Sequence, residues 1–151
     1  MPNKLFYETL MQDLLLKVNF LPENCDIPVA AAILNSENQL VAINTNLNIV
    51  ENDSTAHAEV NVIRDVCQKL KTSRLDGFSL IVTLEPCLMC AGAIMQSKIN
   101  RVIFGAFEPK TGFMSSRYPT IKEYVPQIEI IGGILETECS SVMTNWFRNK
   151  R

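Results

Sequence analysis

The chain has 151 residues, 47% of them hydrophobic, and a net charge of -2 at pH 7. That is enough apolar material for one compact core, so a single domain spanning 1–151 is predicted, and the absence of charge blocks, repeats or low-complexity tracts excludes a fibrous or disordered chain. The mild acidity gives no general encouragement to nucleic-acid binding, and five cysteines without an export signal point to a reducing, cytoplasmic setting.

In chain order, Tyr7, Met11, Leu14, Leu15 and Val18 alternate with polar residues as in a packing helix, with neither a signal-peptide core nor a membrane span. Leu21-Pro22-Glu23-Asn24 is a break. Ile27 to Asn35 reads as a strand, Ser36-Glu37-Asn38 as a turn and Gln39 to Asn44 as the hairpin partner. The unbroken apolarity of Val29-Ala30-Ala31-Ala32-Ile33-Leu34 predicts burial on both faces and hence a central strand. A polar loop from Asn44 then leads to His57.

Asp53-Ser54-Thr55 offers N-caps for a helix that runs to about Lys71, with Ala56, Val60, Ile63, Cys67 and Leu70 at helical spacing. Ser79 to Leu84 is a third strand, and Pro86 is predicted as the first residue of the next helix, because its missing N–H costs nothing there. In that helix Ala91, Gly92 and Ala93 permit close approach to a neighbour. Arg101 to Ala106 is a fourth strand, parallel to the third through the intervening helix. Phe107 to Pro126 has the length of a binding loop. Ile128 to Ile131 is a short fifth strand, and Leu135, Cys139, Val142, Met143, Trp146 and Phe147 form the stripe of a last helix. On spacing alone, Trp146 and Phe147 belong to the core. The result is an α/β chain with a five-stranded mixed sheet flanked by helices.

The chemistry gathers in two short tracts, His57-Ala58-Glu59 and Pro86-Cys87-Leu88-Met89-Cys90. Cys87 and Cys90 fall on one face of a helix's first turn, where the dipole favours thiolate. Two sulfurs are half of what zinc needs, and His57 is the only histidine, so a mixed site takes its nitrogen from there. Glu59, two residues on, points to another side of the helix and can reach a water without displacing the ligand. Cys25, Cys67 or Cys139 could close the site with a fourth sulfur. Their places on helix stripes or in a breaker-rich loop favour the role of small apolar residues and leave the site open and catalytic. His-x-Glu followed by Pro-Cys-x-x-Cys is the signature of zinc-dependent base deaminases. In that chemistry zinc lowers the pKa of water from about 15.7 to roughly 7, and a carboxylate carries the proton to the ring nitrogen and then to the departing ammonia. Glu85 has no such companion and reads as structural, bonding backbone at its turn.

More of the chain resembles one family. Thr55-Ala56-His57-Ala58-Glu59, the tract from Thr83 to Ile94, Arg101 to Ala106, Lys110-Thr111-Gly112, Gly133-Ile134-Leu135 and Phe147-Arg148 are similar to the bacterial tRNA-specific adenosine deaminases of the cytidine-deaminase-like superfamily. The resemblance implies a three-layer α/β/α fold, conversion of adenosine to inosine at the wobble position of a tRNA anticodon, and a homodimer with one zinc per subunit. It further implies that Asn46 contacts the flipped nucleotide, with Ala58 beside it, that Lys110 meets the RNA backbone, and that Phe147 and Arg148 lie near the anticodon loop. The cations Lys98, Arg101, Lys110, Arg117, Lys122, Arg148, Lys150 and Arg151 crowd the second half; charge alone favours a solvated surface there over an RNA contact, and only the resemblance raises Lys110 and Arg148 above that reading. Glu108 stands where the family usually has aspartate and Ala30 where it usually has glycine, and Phe113 to Arg117 departs from the usual small-residue loop. None of these is a ligand or Glu59, so the departures bear on RNA preference and leave deamination untouched.

Two other readings compete. A deaminase of a free base or nucleoside, of guanine or cytosine type, would use the same chemistry in a closed pocket, and the acidic charge mildly favours it. A non-enzymatic zinc-containing RNA-binding subunit would be expected to lack the catalytic carboxylate, and Glu59 is present.

Overall fold

The computed structural model describes residues 2–22 and 26–149. Part of the predicted break (Glu23, Asn24), the spare cysteine Cys25 and the terminal cations Lys150 and Arg151 lie outside the described residues.

Ten elements follow one another: α1 (Lys4–Asn19), β1 (Ala30–Leu34), β2 (Leu40–Thr45), α2 (Ala58–Leu70), β3 (Ser79–Leu84), α3 (Leu88–Ser97), β4 (Arg101–Ala106), the 3-10 turn η1 (Ile121–Glu123), β5 (Glu129–Ile131) and α4 (Glu136–Asn149). The strands form one mixed sheet in the order β2-β1-β3-β4-β5. β1 pairs antiparallel with both β2 and β3, whereas β3, β4 and β5 are parallel.

Period-two alternation sorts the sheet's side chains into two cores. Ala31, Ile33, Leu80, Val82, Val102 and Phe104 pack with Val62 and Val66 of α2 and Ala91 and Ile94 of α3. Ala30, Ala32, Ile81 and Ile103 pack with Tyr7, Met11 and Leu14 of α1 and Cys139 of α4. Two helices on each face give the three-layer α/β/α arrangement expected from the sequence. Each fully buried Leu or Ile in these layers contributes roughly 1.5–3 kcal/mol. On the second face, α4 comes close because position 105 is glycine: a Cβ there would overlap the Cys139 sulfur and lie 2.8 Å from the Thr83 carbonyl oxygen.

The five residues predicted for the inward stripe of α1 are the five that are buried. β1 is fully buried, as its composition foretold, but shorter than Ile27 to Asn35. Pro28 has no N–H to give the ladder, and the Val29 N–H turns back to the Ile27 carbonyl at 2.8 Å. In α2 the predicted stripe needs correcting. Val62 and Val66 face the sheet, Val60, Ile63 and Cys67 line a groove toward α3, and Leu70 is exposed. The helix therefore carries apolar residues on two sides, which a single-stripe reading cannot separate. In α4 the core assignment holds for Cys139 but not for Phe147, which is 51% exposed at the last turn with its ring edge-on to Trp146. No helix among the described residues is long and apolar enough to cross a membrane.

Candidate active site and metal centre

Everything that lines the site comes from one edge of the sheet. β3 and β4 end there, β2 ends there, and β1 begins there, because β1 runs against its neighbours. The cavity at this edge, about 100 Å³, is bordered by Ile27 and Val29 before β1, Asn46 after β2, His57 and Glu59 at the start of α2, Leu84, Glu85 and Cys87 after β3, and Thr111 after β4.

The two ligand-bearing helices start later than their sequences suggest. His57 is itself the N-cap of α2, with extended backbone (φ -68°, ψ 153°) and no side-chain cap bond. The predicted cap residue Asp53 instead closes the preceding turn, accepting from the Thr55 N–H at 2.9 Å and the Thr55 hydroxyl at 2.7 Å. Cys87 is the N-cap of α3, likewise extended, so Pro86 precedes the helix rather than opening it. The Pro86 carbonyl accepts from the Phe113 N–H at 2.9 Å. In both cases the capping position is occupied by a side chain turned toward the cavity, and its usual backbone-capping role is given up. The approach to α2 is held instead by Asn61, buried in the second turn, whose amide donates to the Thr45 carbonyl at 2.8 Å and the Ala56 carbonyl at 3.1 Å.

His57, Cys87 and Cys90 converge as the sequence predicts. Their donor atoms lie within 4.8 Å of one another, with the His57 Nδ1 3.7 Å from the Cys87 sulfur and 3.5 Å from the Cys90 sulfur. A hydrogen bond with Cys90 and another with His57 hold the Cys87 thiol down to about 4 against the opposing effect of burial. The Cys90 thiol, which shares its proton with Cys87 and is buried beside Glu59, is pushed far up. His57 is raised by its bond to Cys87. A thiolate stabilised beside a second sulfur and an imidazole nitrogen is a donor set for a soft divalent cation. Among the described residues no fourth His, Cys, Asp or Glu joins the group, so the residues fit a zinc ion with one position left for water or substrate. Cys139, pushed up to about 12 by burial, and Cys67, also raised by burial, stay neutral thiols away from it.

Glu59 is 5% exposed and borders the cavity. Burial raises its pKa, partly offset by bonds from its own N–H and from Cys90. Asn46 is also buried in the wall, its amide nitrogen donating to Asp26 Oδ1 at 3.0 Å. Ala58 is fully buried in the first turn of α2. Lys110 is exposed beside the cavity-lining Thr111, whereas Phe147 and Arg148 stand exposed at the end of α4 and do not border the cavity.

Four contributors escaped the sequence reading: Asp26, Asn61, Glu85 as a wall residue, and Thr111. Asn61 left a signal, as a polar residue inside the apolar run Val60-Asn61-Val62-Ile63. Asp26 left none, since an acid next to a breaker reads as surface.

Residues 6–106 match the family described as the cytidine and deoxycytidylate deaminase zinc-binding region. A tRNA-specific adenosine deaminase of Bacillus subtilis is 38% identical over 147 residues, covering 95% of this chain and 90% of that protein. A solved structure from a study of A-to-I editing by tRNA:A34 deaminases at the wobble position of transfer RNA superposes with a TM-score of 0.78 at 33% identity, covering 89% of this chain and 98% of the other. A guanine deaminase structure from Bacillus subtilis aligns at 32% identity and a TM-score of 0.60 over 71% of this chain and 66% of that one. With its donor set, its buried glutamate and near full-length likeness, the chain belongs to the zinc-dependent cytidine and deoxycytidylate deaminase family, within its tRNA-specific adenosine deaminase branch.

Proposed function

We propose that this chain, as one deaminase domain in a homodimer, hydrolyses adenosine to inosine at the wobble position of a tRNA anticodon. The observation that carries the proposal is a buried carboxylate, Glu59, beside a three-donor His/Cys/Cys set, with Glu59, His57 and Cys87 bordering one small cavity. The near full-length likeness to tRNA-specific adenosine deaminases selects the substrate class.

His57, Cys87 and Cys90 would hold the zinc, one per subunit, with Nδ1 of His57 facing both sulfurs. When bound, zinc supplies a nucleophile at neutral pH by acidifying water to a pKa near 7. Glu59 would accept the proton of the attacking water and pass it to the ring nitrogen next to the amino-bearing carbon, then take the proton of the newly added hydroxyl and deliver it to the leaving amine, which leaves a carbonyl on that carbon. A C–O bond forms at that carbon, the C–N bond breaks and ammonia departs. Burial raises the affinity of Glu59 for a proton, as such a shuttle needs.

With Glu59 buried at the cavity and Cys90 buried beside it, a base would reach them only after leaving the stack. Asn46 donates its N–H to Asp26, which directs its carbonyl oxygen to accept from the flipped base. Ala58, between His57 and Glu59 in the chain, is fully buried in the core and does not itself line the cavity, so its part would be to seat those two neighbours. Lys110, Phe147 and Arg148, all exposed, are the residues offered to the RNA outside the cavity.

The test is inosine formation on a transcribed tRNA with adenosine at the wobble position, with free adenosine, cytidine and guanine in parallel. Inosine in the tRNA alone supports the proposal, and ammonia from a free base or nucleoside alone overturns it. The likeness to a guanine deaminase keeps that second reading in play. Salt separates the two, because an enzyme gripping several phosphates loses affinity steeply as salt rises and a free-base enzyme barely responds.

A further inference from the structure

We propose that Glu85 is a positioning residue for this reaction: its carboxylate holds the 108–117 loop over the cavity and so sets how the strand flanking the reacting base is gripped. The inference rests on the tRNA reading above.

Glu85 is 3% exposed and its carboxylate is enclosed by donors. Oε1 accepts from the Glu108 N–H at 3.0 Å and from the Ser116 hydroxyl. Oε2 accepts from the N–H groups of Met114, Ser115 and Ser116 at 3.1, 2.8 and 3.0 Å. A carboxylate offers about four lone-pair sites, so five donors saturate it and none is left to take a proton from a substrate. Although Glu85 borders the cavity, its acceptors all face the protein.

The far part of the loop is also anchored away from Glu85, by the buried Met114 side chain, by the Phe113 carbonyl accepting from the Ile121 N–H at 2.8 Å and by the stacking of Phe113 on Tyr124, whereas its near part is tied to the stretch that starts at Glu85. The Phe113 N–H bonds the Pro86 carbonyl, and Gly112 forms an isolated bridge with Cys87. Within the loop, Glu108 accepts from the Lys110 N–H at 3.1 Å and the Lys110 carbonyl accepts from Arg117 at 2.8 Å. The segment is thus registered directly on Glu85-Pro86-Cys87, the stretch that delivers a metal ligand. At the tip sit Thr111, which lines the cavity, and the exposed Lys110 beside it. The loop carries Lys110 and the wall residue Thr111, whereas His57 and Glu59 are carried by the start of α2 and Cys90 by α3. Gly112 completes the fit: a Cβ there would overlap the Glu85 carboxyl and lie 2.6 Å from the Glu108 carbonyl oxygen.

The experiment compares the zinc-loaded full chain with Glu85→Gln, which keeps the shape but turns a donor toward the loop's N–H groups. Zinc content, kcat and KM on the tRNA, and amide hydrogen exchange at 108 and 114–116 are measured together. The expected result is full zinc occupancy, kcat changed by no more than about twofold, KM raised about tenfold or more, and faster exchange at those amides. Glu85→Asp, still an acceptor only, should recover part of the KM. Unchanged KM and exchange overturn the inference, as does a fall in kcat at constant KM, which would place Glu85 in the chemistry, or loss of zinc, which would make it a support of the metal site. If Glu85→Gln does not fold, Gly112→Ala intrudes on the same contact from the loop side and is held to the same result. Should the unaltered protein be inert on tRNA, the functional reading fails separately, and the exchange data alone decide whether Glu85 holds the loop.

Discussion

Glu59 and Glu85 border one cavity and are buried to the same degree, 5% and 3% exposed, yet their surroundings make them opposite devices. Glu59 has few donors, its own N–H and Cys90, so burial prevails and raises its pKa. At Glu85 burial pulls the same way but is outweighed by the Ser116 hydroxyl and the N–H groups of Ser115, Ser116 and Glu108, which hold the carboxyl below the usual range. One acid is held toward the protonated form and the other toward the charged one. What separates them is how many donors are aimed at each carboxylate and how completely the carboxylate itself is desolvated, together with the Cys87 charge beside Glu59.

The comparison can be broken at four depths. His57→Ala should remove the ground both glutamates stand on, abolishing zinc binding and deamination together. Metal analysis of the purified variant checks this, and a zinc-replete His57→Ala protein would take that residue out of the donor set. Glu59→Gln should lower turnover by about 100-fold or more with zinc and fold retained. The contrast with Glu85 collapses if both glutamine variants depress kcat alike on the same tRNA.

Asp26 holds the wall residue Asn46 from behind, as Glu85 holds its loop, accepting from the N–H groups of Ile49 and Val50 at 2.7 and 3.0 Å and from the Asn46 amide at 3.0 Å. Asp26→Ala leaves these donors without their acceptor and should cost about 2–4 kcal/mol in a denaturant titration. An unchanged midpoint would mean that water replaces the carboxylate and that walls of this kind need no buried acid. Arg148→Ala has the smallest expected effect: stability within about 0.5 kcal/mol, and a salt dependence of tRNA binding shallower by about one charge. An identical slope would remove the end of α4 from the RNA surface.

Much of the fold was legible because local pattern and burial coincide in it. The unbroken apolar runs of β1, β3 and β4 are buried on both faces, and the five-residue stripe of α1 faces inward as spaced. The readings that failed share a cause. Asp53 and Pro86 have the chemistry of helix starts, but the capping positions went to His57 and Cys87, whose side chains the cavity requires. The apolar spacing of α2 serves two neighbours, the sheet and α3, and Phe147 follows a helical stripe past the end of the core.

The grouping of His57, Cys87 and Cys90 was legible in the sequence, because two cysteines three apart lie close whatever their backbone and a lone histidine leaves no choice of nitrogen. Glu59 followed from its place two residues beyond that histidine. Glu85 was read as bonding backbone, and it does, but only the tertiary structure decided which backbone, and what Asp26 and Asn61 do. The donors that saturate Glu85 lie 23 to 31 residues away in the chain, and those on Asp26 lie 20 to 24 away. A ligand's chemistry is carried in its own side chain and near spacing, whereas the role of a buried carboxylate is set by the N–H groups that folding brings to it.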